Sequence, residues 1–305
     1  MESMTTLSST TEQQCEQDDM TVDYIVFSAS IAVLLPFLTF GNVLTILAVL
    51  VTPQFRTLTY LHVANIAVAD FLVGVGCALA GARSLTSLLC LIPDRVFIIV
   101  ALSYNYFAAT ESLLGLLLLA LERLVYIVYP FLYIKPATGR VFKCGIVLSW
   151  VLSLTMGALT GYFEQDFSGN CVDEEDLGRD HYHIAMPGVF LSASVVSSLC
   201  YIKIVLVSRQ QQRRVAEQTT RPLSHVNFKS VGVFFVINTI FIVCWLPYVV
   251  VVVLWGCENS TLQTRAFLFM LGSSTSVCNV VIYSWKIKAF RKVCVRLLRC
   301  QCQHR

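Results

Sequence analysis

The chain has 305 residues, 56% of them hydrophobic and only 13% charged, with a mean hydropathy of +0.70 and a formal net charge of +3. An ordinary soluble domain carries roughly a quarter of its residues as Asp, Glu, Lys and Arg. The composition is that of a membrane protein, the length excludes several large domains, and no nucleic-acid partner is expected.

The opening stretch MESMTTLSSTTEQQCEQDDMTVD is polar and acidic. It lacks the basic and then apolar pattern of a cleaved secretory signal, so residues 1–23 read as an extracellular tail and the first apolar segment as its own insertion signal. A helix needs about 20 apolar residues to cross a bilayer. Seven stretches qualify: 24–51, 58–82, 96–128, 141–162, 184–208, 230–254 and 263–285. They predict an all-α bundle of seven transmembrane helices over residues 24–285.

Loop charge sets the orientation, because Lys and Arg collect on the cytoplasmic side. An outside N-terminus puts 18 of the 22 basic residues inside, leaving only Arg83, Arg95, Arg179 and Arg265 outside. The acids divide the other way, with 15 of 19 outside. That acidic outer face either follows from topology alone or acts as an electrostatic funnel for a cationic ligand.

An ionisable or strongly polar side chain within a bilayer is costly and is a functional hypothesis by default. In chain order the spans carry Asn42 in FGNVL, Asp70 in HVANIAVAD, Glu122 and Arg123 in LERL, Trp150, Trp245 and Pro247 in FIVCWLP, and Asn279 and Tyr283 in NVVIY. Asp70 is a lone mid-membrane carboxylate that needs a cation or hydrogen bonds to keep its charge. Glu111 is either a ligand or proton site or a neutral carboxyl bonded to the fourth span. Pro247 removes one backbone hydrogen bond and bends its helix. Phe241 and Trp245 share a face at i and i+4, as do Asn279 and Tyr283.

After Trp285 the run KIKAFRKVCVRLLR sets Ile287, Phe290, Val293 and Leu297 or Leu298 opposite Lys and Arg. It predicts an amphipathic helix on the inner membrane face, within residues 286–305. In the acidic run CVDEEDLGRDHYH, His181 and His183 belong either to a solvated loop or to a zinc site. Asn259 opens an N-x-[ST] sequon beside the sixth span. Cys15, Cys90, Cys171 and Cys257 fall on the oxidising side and allow three pairings.

This set of landmarks, one per span and in this order, resembles the rhodopsin-like (class A) G-protein-coupled receptors from about Tyr24 to Arg299. The resemblance implies a plasma-membrane receptor, not an enzyme, with an unidentified extracellular ligand (lipid, small molecule or peptide) and a heterotrimeric G protein as partners. A decoy that binds without coupling is the rival reading; a seven-helix transporter or channel is a further alternative, but a transporter should show repeats between its halves or interrupted helices, and no such symmetry is found. The resemblance gives Glu122 and Arg123 the role of a resting ion pair that parts on activation. Tyr201, Phe241, Trp245, Pro247, Asn279 and Tyr283 become switches and hinge. Asp70, Ser112, Ser276 and Asn279, with Thr275 near, match a sodium site. The pocket wall by position is Asn105, Tyr106, Ala109, Met186, Val189, Trp245, Tyr248, Val252, Phe269 and Ser273, mostly apolar. Cys294, Cys300 and Cys302 become palmitoylation candidates beside the membrane lipids.

The departures carry information too. Leu124 follows Arg123 where the family has Tyr. Asn227 replaces a second acid, leaving Glu122 as the resting clamp and predicting basal activity. Val280 replaces a proline, which predicts a straighter seventh helix. Ile98 stands where a bridging cysteine is usual, making Cys90–Cys171 the nearest substitute, with Cys15–Cys257 as a second bridge. Ala193 replaces a fifth-span proline; both losses point towards the melanocortin, lysophospholipid, cannabinoid and adenosine branch. Asn105 occupies the position of the amine-pairing acid, and Ser273 that of the retinal lysine.

Overall fold

The computed structural model describes the backbone of residues 2–89, 95–165, 182–218, 228–255 and 262–299, together with their side chains except at several helix ends. Without water in a bilayer, each backbone polar group must be satisfied within its own segment or a closed sheet. This apolar sequence answers with helices: α1 (Glu2–Val51), α2 (Leu58–Leu88), α3 (Arg95–Val128), the single turn α4 (Pro130–Tyr133), α5 (Pro136–Gln165), α6 (Tyr182–Gln218), α7 (Phe228–Trp255), α8 (Leu262–Ser273), α9 (Thr275–Lys286) and α10 (Lys288–Leu298). Among the described residues there is no strand.

Among the described residues six stretches are long and apolar enough to cross a membrane: Tyr24–Val51, Leu58–Thr86, Pro136–Tyr162, Pro187–Gln211, Gly232–Val251 and Phe267–Lys286. The remaining long helix, α3, is the one that buries Glu111, Glu122 and Arg123, and it touches α2, α5, α6 and α7. The architecture is the expected seven-helix bundle, with α8 and α9 forming the seventh span and α10 the short eighth helix. Val33, Val141 and Val147 point outward, each about two-thirds exposed. Such apolar outer faces suit lipid rather than water.

Residues 2–23, read from sequence as a tail, continue helically into the first span. α6 extends ten residues beyond the predicted 208, through Arg209 and Arg213, because Gln and Arg are good helix formers outside an apolar run as well.

The seventh span falls into two helices, α8 and α9, with Ser274 between them. The Ser274 hydroxyl donates to the Leu271 carbonyl at 2.6 Å, and that of Thr275 to the Gly272 carbonyl at 2.6 Å. Hydroxyls bonded to the preceding turn compete with the backbone ladder and bend helices.

α10 is amphipathic as predicted: Phe290 and Cys294 are buried, while Lys288, Arg291, Lys292 and Arg296 are exposed. Phe290 stacks on Phe55 and meets Tyr283 edge-on, their centroids 6.2 and 6.0 Å away, which joins α10 to α9 and to the link after α1.

Candidate functional site

At one end of the bundle Glu122 is fully buried and Arg123 nearly so. The Arg123 guanidinium donates from Nε to Glu122 Oε2 at 2.5 Å and from Nη2 to Oε1 at 2.6 Å. Two further side chains complete the cluster. Thr59 of α2 donates to Glu122 Oε1 at 3.1 Å and accepts from Arg123 Nη2. Tyr133 of α4 donates to the same Oε1 at 2.7 Å. Burial, then this bond to the carboxylate, raises the Tyr133 phenol above its ordinary range, so it remains a donor. The guanidinium lies 4.7 Å from the Tyr126 ring centre and 5.7 Å from that of Phe234 on α7. α7 therefore helps to cover the arginine.

Midway through the bundle Asp70 is completely buried. Ser112 and Ser276 donate to its Oδ1 at 2.9 and 2.7 Å, and Asn279 Nδ2 donates to Oδ2 at 2.7 Å. The structure thus assembles all four residues named for the sodium site from α2, α3 and α9. Thr275 does not join them, because its hydroxyl bonds within its own segment.

The neighbouring residue on α3 builds a second buried carboxyl cluster. Asn65 Nδ2 and Ser149 Oγ each lie 3.0 Å from Glu111 Oε1, and Ser153 Oγ lies 3.0 Å from Oε2. Trp150 Nε1 donates to Asn65 Oδ1 at 2.9 Å. Ser149 Oγ is also 2.8 Å from the Ile146 carbonyl, and one hydroxyl proton cannot serve both acceptors. A proton on the Glu111 carboxyl would complete the count, and the contacts with Ser149 and Ser153 set this carboxyl against the fourth span.

Towards the opposite end, Trp245 and Tyr248 of α7 and Phe269 of α8 form an aromatic triad with centroids 6.0 to 6.5 Å apart, edge to face. Phe241 lies 6.2 Å from Trp245 and links it to Phe190 of α6. The indole rests on Gly272, where an added Cβ would come within 2.6 Å of the ring. Ala109 and Val189 are half-buried against the same core, Tyr106 is half-buried, and Ser273 is buried. Asn105 turns to its own helix and to α2: its amide donates to the Ala101 carbonyl at 2.9 Å and lies 3.4 Å from the Gly76 carbonyl.

Tyr201 and Tyr283 are both buried but not bonded to one another. Tyr201 packs on Phe235, Tyr283 packs on Phe234, and the Tyr283 hydroxyl has no partner among the described residues. Pro247 lies inside a continuous α7. Cys294 faces the bundle, with burial pushing its thiol up to about 11, so in this conformation it is not presented for acylation. Asn227, Cys90, Cys171, Cys257, Asn259, His181, Cys300 and Cys302 lie outside the described residues, as do the side chains of Cys15, His183, Met186 and Val252. Among the described residues no group of His, Cys, Asp and Glu could hold a metal ion by itself.

Sequence reasoning missed Thr59, Tyr133, Ser149 and Ser153. Each is a hydroxyl of ordinary type at an unremarkable position, and only helix rotation brings it to a carboxyl group.

Comparison with known proteins agrees with this arrangement. The chain is 28% identical over 285 residues to sphingosine 1-phosphate receptor 2 of Rattus norvegicus, covering 90% of this chain and 77% of the relative. It is 27% identical over 286 residues to the Homo sapiens protein of that name, with the same coverage. Against the histamine H2 receptor of Cavia porcellus it is 23% identical over 297 residues, covering 92% of this chain and 82% of the relative. Residues 41–283 match the family profile described as 7 transmembrane receptor (rhodopsin family), and with the span order, the Asp70 cluster and the Glu122–Arg123 pair inside that range, the chain belongs to this family.

Proposed function

We propose that the protein activates heterotrimeric G proteins when an extracellular ligand shifts a pre-existing equilibrium towards a bundle open at its Arg123 end. The observation that carries this reading is the burial of Arg123 beneath Phe234, with Glu122, Thr59 and Tyr133 bonded around it. A partner can reach the arginine only if α7 swings away, and Pro247 supplies a hinge in that helix. Phe131 and Ile134, 83% and 75% exposed beside Tyr133, offer an apolar surface for the same partner. The charge asymmetry of the loops supports an outside N-terminus and a cytoplasmic Arg123 end. The chain is a multi-pass receptor and not an enzyme.

The two kinds of relative named above carry different ligands in their names, so they do not converge on one. Between Arg95 and Glu111 there is no Asp, Glu, His, Lys or Arg, and the Asn105 amide is engaged by backbone carbonyls. This supports a ligand recognised by the aromatic triad and apolar wall rather than by an ion pair to α3.

Asp70, Ser112, Ser276 and Asn279 fit a small hard cation, because their hydroxyl, carboxylate and amide oxygens are the donors such an ion takes. Sodium bound there would supply a positive charge between α2 and α9. The same residues already hold α9 to Asp70 by hydrogen bonds, so the ion would strengthen an existing closure.

The test is a panel of G-protein dissociation sensors in cells, read first without ligand and then with lipid, nucleoside, amine and peptide libraries. A signal that disappears in Arg123→Ala at matched surface level is the expected result. Signalling that survives that change overturns the role given to Arg123, and silence from every sensor with surface expression verified favours a decoy.

A further inference from the structure

His62 lies three residues beyond Thr59 on α2 and therefore on the same face, one turn deeper than the Glu122 cluster. It is completely buried, and among the described residues neither ring nitrogen has a hydrogen-bond partner. Its ring stands edge-on to Phe142 of α5, centroids 5.7 Å apart. The ionised side chains close enough to act on it are Glu122 and Arg123 of α3. The other titratable side chains around this cluster are Tyr60 of α2, Tyr126 of α3, Tyr133 of α4 and Tyr201 of α6. On the neighbouring elements Arg56, Arg140 and Lys143 are exposed to the surroundings.

Two unused nitrogens on a buried imidazole are costly, and a buried polar group of this kind calls for a use. The atoms of Glu122 identify that use. Its Oε1 accepts from Thr59, Tyr133 and Arg123, whereas its Oε2 accepts from Arg123 Nε alone. When Arg123 leaves, Oε1 retains two donors, but Oε2 has none and the carboxylate loses its only cation. A buried charge without a partner is expensive.

We propose that His62 takes up a proton as Arg123 departs and donates it as a hydrogen bond to Glu122 Oε2, replacing the guanidinium with an imidazolium. This rests on the reading of Glu122 and Arg123 as the resting lock. The proton comes from water admitted at the opening end and binds one imidazole nitrogen; no covalent bond other than N–H forms. The open receptor then holds one proton more than the closed one. Opening becomes easier as pH falls, with an open-to-closed ratio that changes by up to about tenfold per pH unit.

The experiment uses the full chain in lipid nanodiscs, with nitroxide-bearing amino acids placed at the exposed positions Arg140 and Gly232, the latter with open space around it. Pulsed electron resonance reads the separation of α5 and α7 between pH 8 and 6. The expected result is an open fraction that rises towards acid in the wild type. It loses its pH dependence in His62→Gln and in His62→Asn, whose amides donate but do not protonate, and is high at every pH in Glu122→Gln. An unchanged pH slope in both histidine variants, or no slope in the wild type while Glu122→Gln opens, overturns the proposal. A Glu122→Gln receptor that stays closed overturns the lock itself, so the two failures are told apart.

Discussion

Two buried carboxyl groups, Asp70 of α2 and Glu111 of α3, are each satisfied by three polar side chains, yet they are wired to different parts of the bundle. Glu111 is joined to Asn65 on α2 and to Ser149 and Ser153 on α5. Both partner helices run unbroken. Asp70 is joined through Ser276 and Asn279 to α9, which begins just after the interruption at Ser274. Similar chemistry therefore ties different helices: Glu111 joins α3 to α2 and α5, and Asp70 joins α2 to α3 and to the segment after the break.

The largest expected effect separates the two on stability. Glu111→Leu leaves the Asn65 amide and the Ser153 hydroxyl without their acceptor, at about 1–3 kcal/mol for each buried group. A loss of about 4 kcal/mol is expected, read as a lower thermal midpoint in detergent. Glu111→Gln keeps an acceptor and carries no charge, so it stays within about 1 kcal/mol of the wild type if Glu111 is a neutral acid. A Gln variant as unstable as Leu breaks the comparison, because Glu111 would then be a carboxylate like Asp70.

Much of this division was legible in the sequence, for a physical reason. A charge inside an apolar run stands out in one dimension, so Asp70, Glu111, Glu122 and Arg123 identified themselves, and the family pattern supplied Ser112, Ser276 and Asn279. Their remaining partners did not stand out. Ser149 and Ser153 lie 38 and 42 residues from Glu111, and Thr59 lies 63 from Glu122. Nothing local distinguishes them from the serines and threonines on lipid-facing surfaces. The break at Ser274 was hidden for a related reason, since hydroxyl-to-carbonyl bonds within a turn leave a weaker mark on the sequence than a proline. The inward turn of Cys294 depends on the helical phase of α10 against α9, which a pattern with five apolar positions does not fix.

A smaller effect distinguishes the two clusters by ion. Replacing a bulky organic cation by sodium raises the thermal midpoint of the wild type, with a stabilisation of about 1–3 kcal/mol at saturating salt. The rise is absent in Asp70→Asn and retained in Glu111→Gln. Equal sodium sensitivity in wild type and Asp70→Asn removes the ion from the mechanism and leaves the serine and asparagine bonds as the whole of the closure.

Smaller still is the consequence of filling the space beneath Trp245. An added methyl at Gly272 meets the indole at 2.6 Å, and overpacking of this kind costs typically about 1–3 kcal/mol. Because Gly272 lies two residues before the break, the strain falls on the α8 side of the movable segment. Gly272→Ala is expected to raise basal signalling several-fold in the sensor assay, whereas Gly145→Ala on α5, whose added Cβ meets only the tip of Leu118 at 3.2 Å, leaves it unchanged. Equal basal signals from the two variants would mean that α8 and α9 move no more readily than α5.

The weakest effect reads the movable segment from its far end. Cys294 is buried where α10 meets α9, and burial pushes its thiol from the ordinary 9.0 up to about 11. Only the thiolate attacks an alkylating reagent, so at neutral pH Cys294 holds on the order of a hundredth of the thiolate it would have in water, and its rate climbs about tenfold per pH unit until the raised value is reached. Exposing the thiol brings its titration back down and accelerates alkylation at fixed pH. If Asp70 holds α9, then Asp70→Asn loosens the surface on which Phe290 and Cys294 rest. Labelling of Cys294 by a maleimide, followed by peptide mass analysis, should then quicken several-fold. Glu111→Gln, acting through α2 and α5, should leave the rate as it is, and the exposed Cys144 of α5 provides an internal reference in both proteins. Equal rates in the two variants would place α9 and α10 in the fixed half of the bundle, and the distinction between the carboxyl groups would reduce to their partners alone.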